Sequence, residues 1–519
     1  MSWFQPPQPL LPELIARHGH WRAGRPALIG DQRRLSWAEF AHATAQIAHG
    51  LTAEGLERGA RVALLMDNSL ECALLLFGIL SSGCVAVPLN TSITDQAVGG
   101  MLEDAGARAV CASGQHCGRI DGLAAGSERV RSALRLAYRG PGGAWREFEP
   151  WYRAYPAQAP AEPLNSEDLC NIIYSSGTTG TPKGIVHSHG CRLAWATELA
   201  LMLRYRSDCV TLCSLGLFSN ISWVAMLATA LVGGTIVVME AFEARAAAAT
   251  IERERVTHGT FVPLQLERLL AIEDLEQFRL DSLDTVMCCG SPLPLAVKRE
   301  FPRRTGCSLI ELYGLTEGVC TILAPEDFAA KTESVGKPFL GTDLKILDEQ
   351  DREVPAGGVG EIVGRGPLLM QGYYNRDDAN REATWTDVHG ARWLRTGDLG
   401  RFDEDGFLYV VDRKKDMILS GGQNIYPADI EQVMREHPEV AEVAVIAAPS
   451  QKWGETPVAV VVLRAGCRTD QAALLEWTNA RVGKQQRLAD ILLRSALPRN
   501  ANGKVLKREL RNELAGAGY

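Results

Sequence analysis

No C-x-x-C pair occurs among the thirteen cysteines of this chain. That absence argues against zinc ribbons and thioredoxin-like sites, which need two thiolates at that spacing. The cysteines fall singly or in odd pairs such as Cys288-Cys289, and a chain of 519 residues needs no disulfide framework. A reducing compartment, the cytoplasm, is therefore expected. A basic surplus is also missing. Fifty-four Lys and Arg stand against 62 Asp and Glu, for a net charge of -8. This argues against a dedicated nucleic-acid binder, and it leaves room for anionic small ligands, which need only a local positive field. The stretch Met1 to His20 has no basic segment followed by a long apolar core, so it does not read as a signal peptide. No internal repeat or low-complexity tract stands out. With 46 % hydrophobic and 22 % charged residues, whole-chain disorder, collagen and coiled coil are excluded.

One segment lacks charge altogether. Cys209 to Met239 has no Asp, Glu, Lys, Arg or His, and its apolar part could span a bilayer by length. Gly233-Gly234 divides it into a helix-like run, Ile221 to Val232, and a β-branched run, Thr235 to Met239. A buried helix, a turn and a buried strand account for it, and no transmembrane span is expected.

What is present is a rhythm of short apolar runs and helical patterns. Arg61 to Met66, Cys84 to Leu89 and Ala107 to Cys111 read as strands, separated by helices at Leu70 to Ser81 and Thr94 to Asp104. The rhythm returns with strands at Thr235 to Met239, His258 to Val262, Thr285 to Cys289 and Ser308 to Leu312. Helices at Ala244 to Glu254, Leu264 to Ile272 and Pro294 to Phe301 lie between them. Such βαβ units imply parallel sheets in two layered α/β regions. From about Lys337 the pattern changes to strands between Gly/Asp turns, a small β-rich subdomain. The charged cluster Asp412-Arg-Lys-Lys-Asp416 then marks a boundary. The expected class is α/β, with a large N-terminal domain over 1–412 and a small α+β domain over 413–519.

The segment Tyr174 to Gly184 carries chemistry. Five Ser/Thr hydroxyls, three glycines and Lys183 lie within eleven residues, after an apolar strand. Glycines let backbone N–H groups approach an anion, hydroxyls donate further bonds, and the lysine adds charge. It is not a Walker A loop, because Pro182 precedes Lys183 and a strand rather than a helix follows. An ordinary Ser/Gly loop is the alternative. His187 and His189 flank Ser188 on that following strand and would face one side. A packing or hydrogen-bonding pair is favoured over a metal site, for want of a third ligand.

This loop resembles the phosphate loop of the adenylate-forming superfamily: acyl- and aryl-CoA synthetases, nonribosomal adenylation domains and luciferases. Four more segments resemble that family in order: Tyr313-Gly-Leu-Thr-Glu317, Arg395-Thr-Gly-Asp-Leu399, Asp412 to Pro427, and Pro498 to Lys507. The resemblance is strongest to acyl-CoA synthetases. It implies a mobile C-terminal domain and a reaction with ATP, Mg2+ and coenzyme A. A small-molecule carboxylic acid would become an acyl-adenylate, and a thiol would then displace AMP.

By the resemblance, Ser175, Ser176, Gly177, Thr178, Thr179, Gly180 and Lys183 cradle phosphate. Gly290, Ser291, Pro292, Tyr313 and Gly314 contact the nucleotide. Thr316 binds phosphate, Glu317 holds the metal, and Asp398 and Arg413 take the ribose. Lys504 is the expected catalytic lysine, bridging the attacking carboxylate and the α-phosphate. Lys415 is the hinge, and Gly421 and Gly422 form the thiol-facing surface. Trp453 either stacks on the CoA adenine or packs.

The acid would lie among Phe218, Asn220, Ile221, Trp223, Val224, Cys289 and Gly314. These are neutral and mostly apolar, which points to a fatty, alicyclic or aromatic acid. The family often has Pro and an aromatic-His pair where this chain has Gly216 and Phe218-Ser219, so Phe218 becomes the candidate gate. Two other functions compete. One is an adenylating enzyme that loads a carrier protein. The other is a silent nucleotide-binding protein, against which the presence of Lys183, Glu317, Asp398, Arg413 and Lys504 counts. A homodimer is left open.

Overall fold

The structure is a computed structural model that describes residues 8–160, 162–175, 182–421, 423–467, 469–499 and 504–514. They form two compact units. The first holds residues up to 330 with 338–343 and 365–384, and the second holds 331–337, 344–364 and 385 onward.

Two sheets build the first unit. In one, Cys320–Leu323, Ser308–Gly314, Thr285–Cys289, His258–Phe261, Val210–Cys213, Thr235–Val238, Pro26–Ile29 and Arg34–Ser36 lie side by side in that order. In the other the order is Gly372–Tyr373, Lys183–Ser188, Leu169–Ser175, Val85–Pro88, Arg61–Leu65, Ala109–Ser113, Leu134–Tyr138 and Arg146–Glu147. The inner strands of both pair in parallel, as the βαβ rhythm predicts. Helix Leu70–Ser82 is apolar on every side, and eleven of its thirteen residues are buried. Its core cluster draws on strands of both sheets, which is why no polar face is left. Full burial of Leu74, Leu75 and Phe77 contributes about 1.5–3 kcal/mol each.

The charge-free stretch becomes strand Val210–Cys213, helix Asn220–Val232 and strand Thr235–Val238. Ser219 caps the helix, accepting from the Ile221 N–H, and Gly233 ends it at φ 75°. The two strands then pair in parallel, Val210 beside Thr235. Among the described residues no helix is long and apolar enough to cross a membrane.

Two local expectations are corrected. The helix expected to stop at Phe301 runs over Leu295–Thr305, passing Pro302 and ending at Gly306. His189 does not lie on the strand with His187. The strand ends at Ser188, whose hydroxyl accepts from the Cys191 N–H and starts helix His189–Met202. A Ser N-cap outweighs the apolar run that suggested a longer strand.

In the second unit, Gly360–Arg365, Arg392–Phe402 and Leu408–Arg413 form an antiparallel sheet. A further sheet orders Gln423–Ile425, Ile418–Ser420, Gly454–Leu463 and Val440–Ser450, with Asp490–Arg494 parallel to Gly454–Leu463. Helices Pro427–Arg435 and Gln471–Asn479 complete it, contributing Ile430, Met434 and Leu474 to its core.

Candidate active site

In the first unit, strands Leu169–Ser175 and Lys183–Ser188 form a hairpin that sets Ser175 opposite Lys183. Ser176, Gly177, Thr178, Thr179 and Gly180, the tip of the expected phosphate loop, lie outside the described residues, as does the side chain of Ser175. The Lys183 ammonium sits over the Tyr373 ring, 4.9 Å from its centre. The Tyr373 hydroxyl donates to Glu317 Oε1 at 3.0 Å. Burial, then the Glu317 charge, pushes the phenol pKa well up, so it stays a donor. Strand Gly372–Tyr373 reaches this position by pairing with Ile185 and Val186.

The segment 313–318 is clamped from the same side. The Met370 N–H donates to the Glu317 carbonyl at 2.8 Å. Gly318 has φ 118°, and a Cβ there would lie 2.1 Å from the Leu368 carbonyl oxygen, so only glycine fits. His187 Nε2 meets the Thr316 carbonyl at 2.8 Å. Burial, then nearby Arg192, holds His187 well below the usual imidazole range.

Several of the residues expected on the acid side lie around the start of helix Asn220–Val232. Ile221, Val224, Cys289, Leu312 and Cys320 share one apolar cluster. Gly290, at φ 96°, approaches Ile221 and Val262. Gly314 lies opposite Cys320 in the sheet. Phe218 is half-buried, and a Cβ on Gly216 would be 2.2 Å from its ring, so a side chain at 216 requires the ring to move. Trp223 is 1 % exposed, and its indole N–H donates to the Leu217 carbonyl at 3.0 Å. Asn220 Oδ1 accepts from Arg192 at 2.7 Å. Ser291 is half-buried and Pro292 exposed. Their turn is pinned from beneath, where Glu311 accepts from the Leu293 N–H at 3.2 Å and pairs with buried Lys298 at 2.5 Å.

The second unit gathers the remaining motif residues. Asp398 and Arg413 face each other across paired strands, with Arg413 Nε 2.9 Å from Asp398 Oδ1. Asp398 is buried. The Lys504 ammonium lies in the field of Arg413, Lys415, Asp398 and Asp416. Desolvation, then the like charges of Arg413 and Lys415, push its pKa down to about 8, against the pull of Asp398 and Asp416. Desolvation also lowers Lys415. The Gly421 N–H donates to the Trp453 carbonyl at 2.8 Å, and the Trp453 indole is 49 % exposed. Gly422 lies outside the described residues.

Tyr373 and Arg192 are passed over by the sequence reading. Tyr373 sits in an ordinary Gly-Tyr-Tyr-Asn turn pattern and gives no local signal. Arg192 gives one, a lone cation in the apolar run Cys191 to Trp195.

The AMP-binding enzyme model matches residues 15–374 and the AMP-binding enzyme C-terminal domain model residues 429–504, and the chain belongs to this family. It is similar to a long-chain-fatty-acid–CoA ligase of Mycobacterium tuberculosis, 33 % identical over 492 residues, covering 92 % of this chain and 93 % of the relative. It is similar to an indoleacetate–CoA ligase of Aromatoleum aromaticum, 34 % identical over 515 residues, covering 97 % and 98 %. Among solved structures it resembles the anthranilate CoA ligase AuaEII in complex with anthranoyl-AMP, with a TM-score of 0.88 and 26 % identity over 99 % of this chain and 98 % of that one.

Proposed function

We propose that the chain is an AMP-forming acyl-CoA synthetase acting on a fatty, alicyclic or aromatic acid. A carboxylate oxygen attacks the α-phosphorus of ATP and pyrophosphate leaves. The thiol of coenzyme A then attacks the acyl carbon, and AMP leaves. The observation that carries the reading is the approach of Lys504, remote in sequence, to the strand-paired Asp398 and Arg413.

Each role follows from the chemistry of its side chain. Lys183 and the hydroxyls before it offset phosphate charge. Thr316 contacts phosphate. Asp398 accepts from the ribose hydroxyls, with Arg413 beside it. Lys504 in its charged form stabilises charge between carboxylate and α-phosphate. Glu317 fits Mg2+. It is a hard oxygen donor, half-buried, with one oxygen already oriented by Tyr373. Mg2+ when bound there screens the phosphate charge.

The domain boundary at Asp412 and the hinge at Lys415 complete the proposal. Rotation there withdraws Lys504 and brings the Gly421-Gly422 surface, with Trp453, to the thiol step. The enzyme works in the reducing cytoplasm on a small-molecule acid. A carrier-protein acceptor and a homodimer are the finer readings of its partners.

The test is CoA-thioester formation with ATP and Mg2+ over short, medium, long, alicyclic and aromatic acids, read by mass. A thioester is expected. Acid-dependent pyrophosphate release without a thioester would assign the second step to a carrier protein. Unchanged ATP with every acid would overturn the reading.

A further inference from the structure

Arg192 is 0 % exposed, on helix His189–Met202. Withdrawing a guanidinium from water is costly unless an anion accompanies it. Among the described residues no carboxylate lies within ion-pair distance, and every partner is neutral. Nε donates to Asn171 Oδ1 at 2.7 Å, Nη1 to Asn220 Oδ1 at 2.7 Å, and Nη2 to His187 Nδ1 at 3.2 Å. The Trp223 ring lies 5.4 Å away. Burial pushes the guanidinium down to about 10, which leaves it cationic at neutral pH.

A guanidinium has donors and no acceptor, so each group it touches has one allowed orientation. At Asn220 the oxygen faces Arg192, and the amide N–H groups turn away. At His187 the bare nitrogen is Nδ1, so Nε2 carries the proton. Nε2–H then donates to the Thr316 carbonyl, 2.8 Å distant. One side chain thus ties the strand Leu169–Ser175, the start of helix Asn220–Val232 and the Thr316-Glu317 segment. A leucine would fill such a space but leave the Asn171, Asn220 and His187 acceptors without these donors, so the guanidinium is held for its hydrogen bonds and not for packing.

We propose that Arg192 is a positioning residue for adenylation, locking the His187 imidazole onto the Thr316 carbonyl and fixing the Asn220 amide on the acid side. This rests on the functional reading for the roles of Thr316 and Asn220, while the locked tautomer stands apart from it.

The experiment uses the full-length enzyme with 15N-labelled histidine, and His187 is assigned by its loss in His187→Gln. One- and two-bond proton–nitrogen correlations report the tautomer. The wild type is expected to show Nε2–H at neutral pH, and Arg192→Leu to lose that single form. In acid-dependent pyrophosphate exchange, Arg192→Leu should lower kcat roughly 10²-fold, the scale of a misplaced reacting group, with a far smaller change in the KM for ATP. Arg192→Lys keeps the charge without the fork and should restore only part of kcat. An Nδ1–H wild type, or Arg192→Leu with unchanged tautomer and kcat, overturns the proposal. If Arg192→Leu does not fold, the wild-type tautomer and Arg192→Lys decide it. If no acid is adenylated, the functional reading falls and the tautomer still decides the positioning.

Discussion

At the scale of single residues, the proposed function is tested most directly at Lys504 and Tyr373. The Lys504 ammonium is held down to about 8 by desolvation and by Arg413. Its charged form is the useful one, so adenylation should fall as pH rises through about 8. Acid-dependent pyrophosphate exchange against pH checks this, and Lys504→Arg should remove the alkaline limb whatever its residual rate. Because the folded state sheds this proton more readily than the unfolded chain, the lysine disfavours folding below about 8, and that penalty fades as pH rises. Lys504→Ala should abolish adenylate formation and largely spare thioester formation from supplied acyl-adenylate. Equal loss of both half-reactions would contradict the separation of steps. Tyr373→Phe removes the O–H that orients Glu317. The Mg2+ concentration for half-maximal adenylation should then rise about tenfold or more, as for other outer partners of metal ligands. An unchanged Mg2+ titration would detach Tyr373 from the metal.

Turns and strands are placed by a few buried polar contacts at the scale of elements. The turn after Thr285–Cys289 is held by Glu311, which accepts from Leu293 and pairs with Lys298. Lys298→Met should lower stability by about 3–5 kcal/mol, because a buried carboxylate is left without its cation. It should also raise the KM for ATP through the loosened Gly290 to Pro292 turn. Urea unfolding and ATP kinetics on one preparation separate the two effects. Most elements here were legible in the sequence: Thr285–Cys289, Ala244–Glu254 and Gly360–Arg365 fall where the patterns put them. Their signals are local, a β-branched run or a 3.6-residue period between turn residues. His189 falls outside the pattern because a strand and a capped helix meet at Ser188, and apolar content alone does not tell them apart.

The whole molecule divides into two units, each carrying part of the motif set. If Lys415 is the pivot between the two half-reactions, Lys415→Pro should fix its φ and freeze one arrangement. Pyrophosphate exchange should stay within a few-fold of wild type. Thioester formation from supplied acyl-adenylate should fall roughly 10²-fold. Loss of exchange with retained thioester formation would reverse the assignment of the frozen state, and no effect on either would remove the hinge.

By itself the sequence determined the α/β class and the order of the elements, because both reside in periodicity over a few residues. Its motifs, through their resemblance to the adenylate-forming family, marked the residues expected to cradle phosphate, hold a divalent cation and supply a catalytic ammonium. The tertiary structure alone decided which side chains meet. Tyr373 reaches Glu317 because an antiparallel strand pair carries it there. Arg192 is joined to Asn171, His187 and Asn220 because a strand pair and two helices converge on one buried point. Nothing in local spacing encodes such meetings. They follow from sheet order and helix packing, and only burial makes a charge without a carboxylate partner conspicuous.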